Sequence, residues 1–158
     1  MRNLDGTDLR LLGALTQDPR RTVVALAQIL GLSRNTVQAR MARLEKEQVF
    51  LSFDRRINPA AVGYPLAAFI HIHVHQPKLQ QITDELARIP EVLEAIGITG
   101  QADILARVVS EGAEDLFRVN GKILAIDGVE RTDTSLAMHE LIPFRMEPLL
   151  SRGAEATG

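Results

Sequence analysis

Apolar residues recur at helical spacing through the first third of the chain. Leu9, Leu12 and Leu15 stripe a helix predicted over Leu4 to Leu15, with Asp5 as its N-cap and Asp8 three residues on. Both aspartates suit the positive end of a helix dipole, and Asp18-Pro19 breaks the pattern. Thr22 can cap a second helix that turns Leu26 and Leu30 inward, with Ala27 small enough for two crossing helices to approach. Gly31 then supplies the positive φ that ends it. Ser33 caps a third helix in which Val37, Met41 and Leu44 share one face. The stretch Leu26 to Glu45 thus predicts a helix-turn-helix buttressed by the first helix.

Beyond Glu47 the periodicity changes. Val49, Leu51 and Phe53 alternate, which predicts a short strand acting as a wing or a link, and Asn58-Pro59 ends it. The domain boundary is expected near residues 58–64. From Tyr64 the order reads strand, helix, strand, strand, helix, strand. The first strand, Leu66 to His75, places Leu66, Ala68, Ile70, Ile72 and Val74 on one face. A helix from Pro77 to Ile89 buries Leu79, Ile82 and Leu86, and strands follow over Val92 to Ile98 and Asp103 to Val109. The next helix, Ala113 to Ala125, is expected to bury Leu116, Phe117, Ile123 and Leu124, and a last strand runs Val129 to Leu141. Residues 86–92 and 123–129 echo each other, each a helix end, an Ile, a two-residue turn and a strand-starting Val.

The predicted fold class is α+β, an N-terminal helix-turn-helix (winged-helix-like) head with a C-terminal βαββαβ ferredoxin-like sandwich. The expected division is residues 1–50 for the head, 51–64 for a strand linker and hinge, 65–145 for the sandwich, and 146–158 for a disordered tail. One face of the sheet needs a partner, because Ala67, Phe69 and His71 on the outward side of the first strand are too apolar for open water. Face-to-face homodimerisation would cover it.

Charge sharpens the division. A formal net charge of −2 over 158 residues conceals ten Lys/Arg against six Asp/Glu in residues 1–60, and eight against fourteen in the rest. A basic head on an acidic body fits a polyanion-binding module carried by a different one. There is no cysteine, so disulfides and thiolate metal sites are excluded. No apolar run approaches the ~20 residues of a membrane span and no signal-peptide pattern opens the chain, so the expected location is the cytoplasm, with no membrane partner. Neither a phosphate-cradling glycine loop nor an HExxH pair is present, and no motif pairs a serine with His and Asp. No catalytic residue and no cofactor is therefore assigned.

The expected partner is double-stranded DNA. Opposite the apolar face of the third helix lie Asn35, Ala39, Ala42 and Lys46, flanked by Gln38 and Arg43. Small alanines allow close approach to base edges, Asn and Gln can pair bidentately with adenine, and Arg with guanine. Ser33, Arg34 and Thr36 complete that surface at the start of the helix. Arg20, Arg21, Arg40 and Arg55 fit phosphate contacts, although Arg20, Arg21 and Arg55 also fit a solvated loop. His71, His73 and His75 alternate on one strand, with His139 on the expected neighbour. A polar strip at a dimer interface is preferred there to a metal site, so no metal is assigned.

These features together resemble the Lrp/AsnC (feast/famine) family of transcriptional regulators over about residues 3 to 145. The carriers are Leu4-Asp5 with Asp8, Leu12 and Leu15; Arg21-Thr22 before Leu26-Ala27; Gly31-Leu32-Ser33; Val37, Arg40 and Leu44-Glu45; and Ile57-Asn58-Pro59 with Gly63. In the second domain Thr99-Gly100-Gln101-Ala102-Asp103 resembles the family's turn between the second and third strands. The resemblance implies a dimer, of a kind often assembled further into an octamer, that responds to a small amino-acid-like effector. It implies a site in which the turn Thr99–Asp103 meets Thr132, Thr134 and Ser135 across an interface, with Asp103 facing an α-ammonium group. An effector-independent architectural DNA-binding protein is the alternative. The chain departs from the family at Ala25, where an acidic residue is usual, at Gln48 and Ser52 in place of glycines, and at Ala102 in place of an aromatic residue.

Overall fold

A computed structural model describes residues 4–156, which fall into two compact units. One comprises the residues up to Arg55 together with those from Ile142 onward, and the other runs Arg56–Leu141.

In the first unit the caps work as their residue types dictate. Helix α1 (Gly6–Gln17) opens on a reciprocal box, in which the Asp8 N–H donates to Asp5 Oδ1 at 2.8 Å and the Asp5 N–H to Asp8 Oδ2 at 3.1 Å. Helix α2 (Val23–Leu30) is capped one way only: the Ala25 N–H donates to Thr22 Oγ1, and Ala25 has nothing to return. Gly31, at φ 67°, closes α2 while the Leu32 N–H reaches the Ala27 carbonyl at 2.9 Å. Ser33 then starts α3 (Arg34–Lys46) by accepting the Thr36 N–H. Gln48 ends that region at φ 56°, the one non-glycine residue with positive φ among those described. Leu11, Leu26, Val37 and Leu44 are fully buried at the centre, while Met41 packs half-buried at the edge.

Two expectations for this region fail. No strand forms at Val49, Leu51 and Phe53; the chain instead makes short 3₁₀ turns at Phe53–Arg56 and Pro59–Val62, and both Leu51 and Phe53 are exposed. Alternation alone does not make a strand where no neighbouring edge supplies hydrogen bonds. The residues expected to be a disordered tail contain helix α6 (Glu147–Ala156), which packs on α1. Leu150 enters the head core, and Gly153 lies so close to α1 that a Cβ there would sit 2.9 Å from Leu9 Cδ1. Residues 157–158 of that expected tail, and residues 1–3 of the expected head, lie outside the described residues.

The second unit is a four-stranded antiparallel sheet in the order β2-β3-β1-β4, from β1 (Leu66–Val74), β2 (Val92–Gly97), β3 (Ile104–Ser110) and β4 (Val129–Leu136). Helices α4 (Leu79–Leu86) and α5 (Ala113–Leu124) cover one face, so this is the expected ferredoxin-like sandwich. Ala68, Ile70 and Ile72 of β1 meet Ala106 and Val108 of β3 under Ile82, Leu86, Val119 and Ile123. Several boundaries and faces differ from expectation. The turn Gln76–Lys78 precedes α4, and Leu79 is exposed at its first position. On α5 the buried set is Leu116, Val119 and Ile123, which leaves Phe117 (81% exposed) and Leu124 about 100° round the helix in solvent. Strand β4 stops at Leu136, so His139 lies outside it. Among the described residues no helix is long and apolar enough to cross a membrane.

Candidate nucleic-acid interface and effector turn

The third helix presents Arg34, Asn35, Thr36, Gln38 and Ala39 as an exposed surface. Ser33 and Thr36 serve the cap, their hydroxyls also sharing a 2.8 Å hydrogen bond. Asn35, Thr36 and Ala39 line an open hollow of about 610 Å³ with Asp5, Arg40 and Arg43. An uncapped helix start would leave N–H groups competing for water at that surface; Ser33 satisfies one of them, that of Thr36.

Arg40 and Arg43 do not project freely as the sequence suggests. Arg40 Nη1 donates to Asp5 Oδ1 and Oδ2 at 2.9 and 2.7 Å and to Asp8 Oδ1 at 2.7 Å. Arg43 Nη2 donates to Asp8 Oδ2 at 2.5 Å. Asp8 is fully buried, and both its oxygens are engaged. Burial by itself would raise the Asp8 carboxyl, but the bonds from Arg43 and Arg40 outweigh it and hold the group below the ordinary range. Asp5 is likewise held low, chiefly by Arg40 and then by the Asp8 N–H. Sequence reasoning read Asp8 as a dipole residue and missed this hub. The available signal was the pair Arg40 and Arg43, three apart on the edge of α3 that turns toward the start of α1.

The remaining basic candidates are scattered. Arg20 is exposed in the α1–α2 loop, its N–H bonded to Asp18. Arg21 is half-buried with Nε 3.9 Å from Asp18 Oδ2. Arg55 is exposed in the 3₁₀ turn that follows the head.

In the sandwich, Thr99–Asp103 forms the turn between β2 and β3. Gly100 adopts φ 120° with open space where a Cβ would stand, Gln101 is exposed, and Ala102 is buried. Asp103 is already committed: its carboxylate accepts the Val74 N–H at 2.9 Å and Gln76 Nε2 at 2.7 Å, ties that hold its pKa below the ordinary value. The carboxylate expected to face an α-ammonium group thus also staples the start of β3 to the end of β1. Thr132 and Thr134 face the helices, Thr134 Oγ1 donating to Asn120 Oδ1 at 3.3 Å, whereas Ser135 faces the other way beside Phe69. Strand β1 separates β4 from β3, so within one chain the turn and these hydroxyls stand apart.

The histidine strip also divides. His71 and His73 share the outward face, and His75 lies past the end of β1. His73 Nε2 sits 3.0 Å from Asp133 Oδ2 and 2.9 Å from Arg131 Nη2. Among the described residues no group of three or more His, Asp or Glu is arranged to hold a metal.

Residues 4–45 match the AsnC-type helix-turn-helix domain, and residues 67–146 match the Lrp/AsnC ligand binding domain. The chain is 36% identical over 135 residues to an HTH-type transcriptional regulator of Pyrococcus horikoshii, covering 84% of this chain and 85% of that protein. Its fold superposes on E. coli AsnC with a TM-score of 0.84 at 25% identity, covering 93% of this chain and all of that one. A feast or famine regulatory protein from M. tuberculosis complexed with L-methionine matches with a TM-score of 0.81 at 30% identity, over 91% of this chain and 98% of that one.

Proposed function

The chain belongs to the Lrp/AsnC family of transcriptional regulators, and from that premise we propose how this member reads DNA and senses an effector. Asn35, Gln38 and Ala39 on α3 meet base edges in the major groove, with Arg34 and Thr36 beside them at the start of the helix. Arg20, Arg21 and Arg55 meet phosphates. The observation that carries this reading is the capped, exposed face of α3, whose far side is locked into the head by Val37 and Leu44. Arg40 and Arg43 hold the helix to Asp8 first and reach DNA only as far as those ion pairs allow.

The functional unit is a homodimer, the building block from which an octamer would assemble. The outward face of the sheet, with Ala67, Phe69, His71 and His73 on β1 and Arg107 and Ser135 opposite Phe69, would be covered by a second copy. A dimer sets two recognition helices about 34–36 Å apart, so its site is a rough palindrome. Nuclease protection of a bound fragment should show two patches separated by one helical turn. A single patch, or uniform coverage, would contradict the paired-helix arrangement.

The effector is a small amino acid held at the turn Thr99–Asp103 in an interface between copies, a reading supported by the methionine complex of the M. tuberculosis relative. In this chain the turn would offer backbone N–H groups around Gly100 and Gln101 to a carboxylate, while Asp103 keeps the turn in shape. Thr132, Thr134 or Ser135 would come from a neighbouring copy. Methionine and the other amino acids should raise the melting temperature of the full chain and shift its oligomer distribution. A chain indifferent to all of them behaves as the effector-independent architectural alternative.

A further inference from the structure

The ion pairs at the edge of α3 carry a consequence for affinity. Asp5, Asp8, Arg40 and Arg43 form one cluster of two carboxylates and two guanidinium groups, of which Asp5, Arg40 and Arg43 line the hollow with Asn35, Thr36 and Ala39. The two aspartates differ in kind. Asp8 is sealed inside and needed to anchor α3, whereas the side chain of Asp5 is 51% exposed at the rim. Arg40 is 25% exposed, and both oxygens of Asp5 accept from its Nη1, the nitrogen that also bonds Asp8. Asp5 therefore cancels a charge that would otherwise attract phosphate.

We propose that Asp5 sets the sequence-independent part of DNA affinity, acting as a charge brake through Arg40. This rests on the groove reading of α3 given above. Phosphate attraction counts neutralised charges whatever the base sequence, so a brake placed there weakens binding to every duplex alike and leaves base discrimination to Asn35 and Gln38. It acts without touching a base. Its removal leaves Asp8 with both arginine partners, so α3 stays where it is.

The test uses the full chain with Asp5→Asn and Asp5→Ser, both of which keep an oxygen to cap α1. Anisotropy titrations on a selected site and on a scrambled duplex are run at 50 and 200 mM salt. Both variants should bind both duplexes more tightly than the wild type, by the same factor on each. Each copy of the homodimer gains one phosphate contact, so the logarithmic slope of the salt dependence steepens by about 1.8 and the gain at 50 mM is roughly twelvefold larger than at 200 mM. An unchanged or weakened affinity in the folded variants, or a gain confined to the selected site, overturns the role given to Asp5. If the wild type itself binds neither duplex at 50 mM, the groove reading fails and takes this proposal with it; normal wild-type binding with inert variants removes the proposal alone.

Discussion

At the scale of single residues, Asp8 is the buried carboxylate that ties α3 to α1. A fully buried carboxylate survives there because two guanidinium groups and a backbone N–H occupy its oxygens. Removing the charge with Asp8→Asn should lower stability by about 1–3 kcal/mol, less than for a wholly buried pair, because Arg40 and Arg43 can turn to water. The pH dependence has a definite sign. A carboxyl held below its unfolded value contributes stability that is fully present above the unfolded pKa, about 3.9, and is lost as pH falls through the folded one. Thermal unfolding followed from pH 7 to pH 2 should show the head melting earlier below about pH 4, with Asp8→Asn lacking that part of the fall; identical profiles would contradict it. Gln48 is the opposite case, a side chain carried in a left-handed conformation after α3. Gln48→Gly should stabilise the head by about 1 kcal/mol, read as a higher denaturant midpoint with unchanged slope.

Among elements, those legible in the sequence were the ones whose local chemistry and burial agree. Thr22, Gly31 and Ser33 mark the ends of α2 and α3 because capping is a local hydrogen bond, and the alternation in β1 is visible because one face is packed under helices. What stayed hidden depends on partners far along the chain. Helix α6 does not announce itself: Gly153 reads as a breaker and only Leu150 is apolar and buried, yet Gly153 lets α6 approach Leu9 of α1, whose Cδ1 would stand 2.9 Å from a Cβ there. The arginine–aspartate cluster joins residues more than thirty positions apart, and the commitment of Asp103 to Val74 and Gln76 depends on sheet order. Leu150→Ala should destabilise the head by about 2 kcal/mol, near the lower end for a buried leucine at the edge of a core. If α6 contributes nothing, the melting temperature of that variant will match the wild type.

For the molecule as a whole, the two units divide the work by charge as well as by fold. The basic residues of the helical unit and the acidic excess of the rest keep polyanion affinity at the head, while the sheet unit carries the face proposed above for pairing copies. Regulation follows if an effector shifts the population of assembled states, since the spacing of paired recognition helices then changes with it. Everything proposed for the head depends on the exposed face of α3 selecting sequence. The direct measurement is binding-site selection from a random duplex library at fixed salt, run with the wild type, Asn35→Ala and Gln38→Ala. Each substitution should erase preference at its own base positions in both half-sites, a loss of about 1–3 kcal/mol of discrimination, while affinity for random duplex persists. Recovery of the wild-type site by both variants would show that sequence is read elsewhere.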